Sequence, residues 1–554
     1  MKVFSASARR ILSLITASGL ILAFTILPLS SAMAQGNAAA GDGIPPLPLS
    51  PVERAQQDGT ALPLSLTEFT KLVLQNNLDI AIQDLNEENR RQSLLSAYGA
   101  YDPTLSLNTS IRSSRTVSTN NFDTSGTGTT ISDSFSYGLT YRQPLKSGGS
   151  ITVSHSPSRS ATNSNMSAFN PSYSGNLQVQ YSQNLWRNLR IDNARNQIKI
   201  ANLDLQLSDV QFKRSVTNTI ANVQQQYWDL VSAIRNYEIQ RNSLRVRLIN
   251  LRDQQRRLEV GTIPPIDVMT AESSVANQEQ SLISAEDRIR RAQNSLRALV
   301  SGDRNSDIWK RTIVPTDSPD FREYKIDPDT AVAIALQNRP ELEESRISMT
   351  QLELRNQLSR ESRKWGVNLN ASFQTSATAG RFTSDRYKPS LQGGLPTYYK
   401  TLFSDPGTTW NVGFTINVPL RDRSLEATLA QQEISKRDNL MRRRQQEQNI
   451  QVDVLNALQA LETARRQVDA AAVALRTQRA QYEAEVKRNE AGLSQNYRVL
   501  EVEQQLSSQE YSQLTALINY KQAVTTLQRT MFNLLEASDF SIARGSSSNI
   551  PNFR

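Results

Sequence analysis

The chain contains two very long stretches without glycine or proline, Arg190–Val260 and Ser424–Ala491. Because nothing in the backbone chemistry of these stretches ends a helix, each predicts a rod of roughly 100 Å at about 1.5 Å per residue. Such a rod is far longer than an ordinary globular helix. Each stretch ends at a glycine, Gly261 or Gly492, which permits a sharp turn into a second helix. We therefore expect two long helical hairpins.

Apolar residues in both arms of the first hairpin, and a mostly apolar series in the return arm of the second, keep the spacing of a coiled coil. This spacing predicts that the two arms of a hairpin pack along a shallow seam. The first hairpin has Val216, Ile220, Val223, Tyr227, Leu230, Ile234, Tyr237, Leu244, Leu248, Leu251 and Leu258, then Val268, Val275, Leu282, Ile289 and Leu296. The second return arm has Val499, Val502, Leu506, Gln509, Ala516, Tyr520, Ala523 and Leu527.

The two hairpins share one register, since the segment Arg257–Gly261 aligns with Arg488–Gly492 and the return seams follow without a gap. A register held over this distance indicates an internal duplication. A plain dimeric coiled coil is the simpler alternative. It does not explain why a block of different composition precedes each hairpin.

Each of these preceding blocks contains short runs in which apolar residues alternate with small, neutral polar ones, as in strands with one face toward lipid and one toward water. A soluble β-sandwich would alternate in the same way. The pattern predicts four strands in the first block, including an added hairpin that turns at Gly148-Gly149, and two strands in the second. The apolar positions are Leu105, Leu107, Phe135, Tyr137, Leu139, Tyr141, Leu177, Val179 and Tyr181, then Val367, Leu369, Ala371, Phe373, Trp410, Val412, Phe414, Ile416 and Val418.

The composition argues against an enzyme. The chain has no cysteine and one histidine, His155, so it offers no thiol nucleophile, no catalytic triad and no cysteine-based zinc site. A hydrolase that uses carboxylates alone is not excluded. We expect no catalytic residue, metal or cofactor, and expect His155 to be a solitary surface or lumen residue. The net charge of +9 at pH 7 is spread along helices and indicates no nucleic-acid partner.

The N-terminus has the form of a secretory signal peptide, in which Lys2, Arg9 and Arg10 precede an apolar run that ends at Ala32-Met33-Ala34. A single membrane anchor is the alternative. No later stretch reaches eighteen apolar residues. The mature protein, starting near Gln35, is therefore expected in the periplasm, outside the cell, or in the outer membrane as a β-barrel.

These observations predict a duplicated organisation with a linker between the copies. The linker is too polar for a core strand and is expected to wrap the helices from outside. The segments are a signal peptide (1–34), a disordered leader (35–63), a first repeat (64–303) with strands at 103–186 and a hairpin tip at 261–265, a linker (304–325), a second repeat (326–540) with strands at 366–418 and a tip near 492, and a polar tail (541–554).

The ordered, duplicated set of signal peptide, helix, strands, long helix, glycine break and return helix resembles the TolC-type outer-membrane efflux protein family. The resemblance covers roughly Leu64–Phe540. Its more specific pieces are Ala335–Leu342 (ALQNRPEL), the strand-to-helix junction Val418-Pro419-Leu420, and the two hairpin tips.

The resemblance implies an α+β membrane protein, in which an outer-membrane β-barrel continues into a long periplasmic α-helical coiled-coil barrel. It implies a homotrimer in outer-membrane lipid, with two structural repeats in each protomer and four strands from each protomer in a twelve-stranded barrel. The added hairpin departs from that strand count. It also implies that a periplasmic adaptor protein and an inner-membrane transporter complete an exit duct, either for tripartite efflux or for type I secretion.

Family members narrow the periplasmic tip with rings of acidic residues. The resemblance places Asp267 at the first acidic position, Arg498 at its counterpart in the second repeat, and Glu501 at the next acidic position. Ordinary solvated helix charge is the alternative for all three. The expected adaptor-docking residues are Gly261, Thr262, Gly492 and Leu493.

Two other functions remain open from the sequence. A periplasmic adaptor also has a coiled-coil hairpin, although it usually has one hairpin beside compact β domains. An envelope-spanning structural coiled coil would not need the duplicated strand blocks.

Overall fold

The structure is a computed structural model that describes residues 46–117, 128–383 and 389–537. The predicted signal peptide and polar tail lie outside these residues. The helices are α1 (Pro51–Gln57), α2 (Leu66–Asn76), α3 (Leu78–Tyr98), α4 (Asn193–Glu259), α5 (Pro265–Val300), α6 (Pro328–Asn338), α7 (Pro340–Ser362), α8 (Leu395–Ser404), α9 (Arg423–Glu490), α10 (Asn496–Met531) and α11 (Leu534–Ala537). The strands are β1 (Ala61–Leu64), β2 (Thr104–Val117), β3 (Thr129–Pro144), β4 (Gly149–His155), β5 (Ser158–Thr162), β6 (Phe169–Asn184), β7 (Thr312–Pro315), β8 (Gly366–Phe382) and β9 (Gly407–Asn417).

The two long hairpins are present as predicted, α4 with α5 and α9 with α10. Their cores are the heptad seams, which bury large apolar side chains such as Tyr227, Leu244 and Leu282 in the first hairpin, and Val454 and Leu527 in the second. Full burial of a side chain of this kind contributes about 1.5–3 kcal/mol. Among the described residues, no helix is both long enough and apolar enough to cross a bilayer.

The hairpins stand side by side, because α10 packs against α4 as well as against its own partner α9. This contact between hairpins differs in chemistry from the seams within them, since hydrogen-bonded polar side chains recur along it. We call it the polar seam. Its pairs are Gln224 with Thr525, Asp229 with Gln522, Ser243 with Glu503, and Asn250 with Asn496.

A break divides the helical segment that precedes each strand block, at equivalent positions of the two repeats. In the second repeat Arg339 and Pro340 separate α6 from α7, as the proline predicts. In the first repeat, Leu64–Tyr98 contains no glycine or proline, which predicts a single helix, but the chain is extended at Asn77 between α2 and α3. The Asn77 side chain accepts hydrogen bonds from the first turn of α3 and donates one to Leu299 O. The asparagine cap therefore separates two helices in the first repeat, as proline separates two helices in the second.

The strands of both repeats join in one antiparallel sheet with the order β2-β3-β4-β6-β8-β9, in which β5 also pairs with β3 and β6. Both β4 and β5 lie between β3 and β6, so together they occupy one strand position of the sheet. We call each strand position a lane, and this lane is interrupted at Pro157. A proline has no N–H to donate to a ladder, which explains the interruption. The first block thus has four lanes, as predicted, and its third lane is divided.

Two predictions about connecting segments are wrong. The disordered leader was expected to reach residue 63, but a capping box between Ser50 and Glu53 starts α1, and β1 follows. The linker was judged too polar for a core strand, but β7 pairs in parallel with β1 and buries Ile313 completely. The backbone groups of β1 bond to those of β7, which lies far away in the sequence. Local composition does not reveal such a pairing.

The segment around α1 is attached to the first hairpin by two ion pairs. Arg241 of α4 contacts Glu53 at 2.6 Å, and Arg54 contacts Glu286 of α5 at 2.5 Å. The hydrogen bond from Arg241 holds the pKa of Glu53 below its ordinary value.

Candidate functional site

The sheet has one apolar and one polar face, and its apolar face is exposed. In an antiparallel sheet, directly opposed residues point to the same side, so the registers Leu107–Leu139, Ala371–Val412 and Phe373–Trp410 assign apolar side chains to one face. Ile111 is 84% exposed and Trp410 is 77% exposed. A contiguous apolar surface of this kind marks contact with lipid or with another chain. We call it the apolar face.

The opposite side of the sheet, here the polar face, carries small uncharged residues and glycine over most of its area. The opposed pairs Ser106–Thr140, Thr152–Gln180 and Asn370–Gly413 are typical of it. Arg112 and Arg142 are its only charged residues within the ladders of the described strands. A neutral hydrophilic surface behind an apolar one suits a wall between lipid and a water-filled lumen.

The strands are long enough to cross the apolar part of an outer membrane. The eleven residues of β9 span about 36 Å at about 3.3 Å per residue, and a tilt of about 40° leaves a rise of about 28 Å. The apolar band of an outer-membrane barrel is about 25 Å tall. This is the shortest strand among the undivided lanes, so each of β2, β3, β6, β8 and β9 suffices.

A helix within the second strand block packs against the apolar face near the end of the sheet farthest from the long helices. Tyr398 and Leu402 of α8 are buried against Ala377 and Ala379 of β8. The prediction that His155 is a solitary residue is wrong, because its Nε2 lies 3.3 Å from the Tyr399 hydroxyl and its Nδ1 lies 3.1 Å from Asn176 O. The sequence pattern predicts no helix between the last two strands, so α8 is a finding of the structure.

Both hairpin tips have the same backbone geometry. At the end of α4, Thr262 N–H donates to Arg257 O and Gly261 N–H donates to Leu258 O. At the end of α9, Leu493 N–H donates to Arg488 O and Gly492 N–H donates to Asn489 O. This pair of bonds is the Schellman motif, which requires a left-handed residue. Gly261 has φ +76° and Gly492 has φ +73°.

The tips project into open space. A Cβ atom added at Gly261 or Gly492 would meet no heavy atom within 4 Å. Leu493 is 81% exposed, and several other apolar side chains at the tips are also exposed. They are Val260, Ile266, Met269 and Tyr497. All four predicted docking residues therefore lie at accessible turns.

The three predicted constriction residues are exposed near the tips, but one chain does not bring all of them together. Asp267 lies in the first turn of α5, while Arg498 and Glu501 lie in α10 and form an ion pair at 2.5 Å. The Glu501 carboxylate raises the pKa of Arg498. Within one chain, this ion pair forms along α10 itself. In the described part of the chain, Asp267 forms no ion pair.

The sequence interpretation missed the polar seam above the tips. Glu503 is 5% exposed and accepts hydrogen bonds from Ser243 Oγ at 3.1 Å and Ser507 Oγ at 2.9 Å. Burial raises the pKa of Tyr482, and the negative charge of Glu503 raises it further. One signal could have revealed the seam, because Glu503 and Ser507 each follow a heptad position by one residue. A helix that contacts two neighbours needs a second seam at such positions.

The structure offers no alternative site for metal chemistry in its described ranges, where no three carboxylate or histidine side chains cluster to hold an ion. The candidate functional elements are therefore the two faces of the sheet, the hairpin tips and the polar seam.

Comparisons with known proteins agree with this architecture. A family model described as outer membrane efflux protein matches residues 150–302 and 331–531, which is more than half of the chain. No curated protein matches the sequence significantly.

Several solved structures share the fold at low sequence identity. The Campylobacter jejuni CmeC outer membrane channel superposes with a TM-score of 0.61 at 16% identity, covering 85% of this chain and 86% of that one. CusC gives 0.62 at 15% identity, with 85% and 93% covered. The open state of the Neisseria gonorrhoeae MtrE outer membrane channel gives 0.57 at 17% identity, with 85% and 89% covered.

Proposed function

This chain belongs to the outer membrane efflux protein family, and we propose that three copies of it form one duct that works with a periplasmic adaptor and an inner-membrane transporter. Membership makes the chain an outer-membrane channel protein that gives exported solutes an exit from the periplasm. The alternatives of a periplasmic adaptor and of a structural coiled coil gain no support. The observation that carries the proposal is the sheet with an exposed apolar face and a neutral polar face, continuous with two exposed helical hairpins.

The free edges of the sheet support a closed ring of copies. Of the six lanes, β2 and β9 lie at the two edges, and each has a ladder partner on one side only. Long unpaired edges are a liability that barrels remove. Because β2 and β9 run in opposite directions, β9 of one copy can pair with β2 of the next in the same antiparallel pattern. Such head-to-tail contacts close into a cyclic barrel.

The outer helices support the same arrangement. The four long helices form one layer with α5 and α9 at its two sides, and both carry exposed apolar residues, including Ile283 on α5 and Val452 and Val473 on α9. A layer cannot bury these residues by itself. In a ring of copies, α9 of one protomer meets α5 of the next and covers them.

The tips are the proposed docking site for the adaptor, through Gly261, Thr262, Gly492 and Leu493. The supporting observations are the left-handed glycine turns, the open space around them, and the exposed apolar side chains beside them. Apolar side chains at an exposed end that faces the periplasm favour a protein partner.

Asp267, Arg498 and Glu501 are the proposed constriction residues, since three-fold symmetry turns each of them into a ring. Acidic rings favour the passage of cations, and Arg498 partly offsets this preference. Exposed ion pairs contribute only about 0–1 kcal/mol each, so the rings tune passage without holding the fold together.

The polar seam supports opening by relative movement of the two hairpins. Its hydrogen bonds can be replaced by hydrogen bonds to water when the seam opens, whereas opening an apolar seam within a hairpin would expose apolar surface to water. Each hairpin therefore moves as a unit, and the tips separate along the polar seam.

The experiment uses cells that lack this chain and measures the loss of a preloaded fluorescent efflux substrate. Wild-type protein is expected to restore export and to fractionate with the outer membrane. Export should fall when Leu493→Asp is introduced, while Gln495→Glu, which adds one negative charge at a nearby exposed position, serves as a control for charge near the tip. Recovery of the wild-type protein as a soluble periplasmic monomer would contradict the proposal.

A further inference from the structure

We propose that each protomer places all six lanes of its sheet in the barrel wall, so that the trimer is closed by eighteen strands instead of twelve. The inference rests on the proposed homotrimer and deepens it, because the number of lanes sets the width of the outer-membrane section.

The added hairpin, formed by β3, β4 and β5, is part of the wall and not an appendage. β3 is paired with β2 over the whole length of β2, and on its other side with β4 and β5. β4 is paired in turn with β6. The apolar face also continues across these lanes, since Tyr141 lies opposite Val153, and Val153 lies opposite Val179. A hairpin outside the wall would leave β2 or β6 without these partners.

The turn of the added hairpin is anchored at the helical end of the sheet. Gly148 has φ +84°, which the turn requires. Gln183 at the end of β6 receives a hydrogen bond from Ser147 Oγ at 3.0 Å and donates one to Ser147 O at 2.9 Å. Gln183 is itself buried. These contacts fix the turn against the last residues of β6.

An even number of lanes is what allows the ring to close. With six lanes per chain, β2 and β9 are antiparallel, so every junction between copies repeats the pattern within a copy. The family match begins at residue 150. Both β2 and β3 precede it, so part of the six-lane sheet lies outside the matched ranges.

The width follows from strand geometry. Eighteen strands about 4.8 Å apart and tilted by about 40° give a circumference of about 113 Å and a diameter of about 36 Å, whereas twelve give about 24 Å. Four long helices per chain make twelve in a trimer, and at about 9–10 Å apart these give a diameter of about 36 Å. The six-lane sheet therefore matches the width of the helical layer that it joins.

The width of the barrel sets the size of solute that the outer-membrane section can pass. After about 5 Å of side chain is subtracted on each wall, the lumen of the wider barrel is about 26 Å across. It is lined by the neutral polar face, with Arg112 and Arg142 as the charged exceptions. The outer-membrane section would then impose no size limit below about 25 Å, and size selection would reside at the periplasmic tips.

The test measures the barrel radius by spin labelling. The chain has no native cysteine, so Val412→Cys places one nitroxide per protomer on the apolar face of β9. With a label reach of about 6 Å, the distance between labels in a trimer is expected at about 42 Å for eighteen strands and about 31 Å for twelve, by pulsed dipolar spectroscopy. Glu279→Cys on α5 is the matched control, since its spacing depends on the helical layer alone. If Val412→Cys does not assemble, Val179→Cys on β6 gives the same comparison.

The number of protomers is measured separately by native mass spectrometry of the labelled particle. A circumference equal to six lanes per protomer supports the inference, whatever that number is, and a circumference equal to four overturns it. A mass other than three chains overturns the homotrimer alone. The two failures are therefore distinguishable.

Discussion

Replacement of a tip glycine by valine should impair export through backbone strain and not through a steric clash. Gly492 has φ +73° and a Cβ there would contact no atom within 4 Å. The cost is therefore the left-handed conformation itself, about 1–2 kcal/mol for an ordinary L-residue. That free energy lowers the population of the native turn about five- to thirtyfold, since 1.4 kcal/mol corresponds to a factor of ten.

The assay compares Gly492→Val with Gly492→Asn in the efflux experiment described above. Asparagine tolerates the left-handed region, so Gly492→Asn is expected to retain export within about twofold of wild type. Outer-membrane location and assembly should be unchanged in both variants, because the tip lies far from the sheet. Gly261, with φ +76°, should give the same order. Wild-type export by Gly492→Val, or equal loss in the valine and asparagine variants, would show that backbone strain at the tip does not limit export.

Three further predictions concern charge and lipid contact. Arg498→Ala should increase cation preference in planar-bilayer recordings and Asp267→Ala should decrease it; unchanged conductance and selectivity in both would leave these residues as solvated helix charges. The depressed pKa of Glu53 means that its ion pair stabilises α1 above pH 4.5, its ordinary pKa, and that this stability is lost as pH falls through the folded-state pKa. Hydrogen exchange in residues 51–57 should therefore rise on acidification, and Glu53→Gln should exchange faster already at neutral pH; equal protection would contradict this. Trp410→Arg should destabilise the assembled barrel by up to about 2–4 kcal/mol, the cost of a lipid-facing cation at mid-bilayer. Asn411→Arg on the polar face should assemble normally in a heat-migration assay. Equal behaviour of the two arginine variants would contradict the assignment of the faces.

Features with a regular period could be predicted from the sequence. The heptad seams predicted the two hairpins because the helical repeat brings Val216, Tyr227 and Leu244 to one side of α4. Alternation predicted the lanes of the sheet because it requires only two-residue periodicity. The glycines at both tips were identified because each interrupts a helix that otherwise has no stop.

Features that depend on distant partners could not be predicted. Ile313 is buried because β7 pairs with β1. His155 contacts Tyr399 because α8 packs on the sheet. Neither contact leaves a local pattern. The polar seam was missed for a related reason, since Glu503 resembles a solvated helix residue until α4 covers it. Contacts that only neighbouring copies can make are likewise absent from any pattern within one chain.

The native mass of the particle extracted from the outer-membrane fraction in mild detergent tests whether copies of this chain form one duct. Three mature chains are expected in one particle, because only neighbouring copies can pair the free edges of β2 and β9 and cover α5 and α9. A monomeric mass for protein recovered from that membrane would contradict this expectation, since one chain would then have to close the sheet and shield both outer helices by itself.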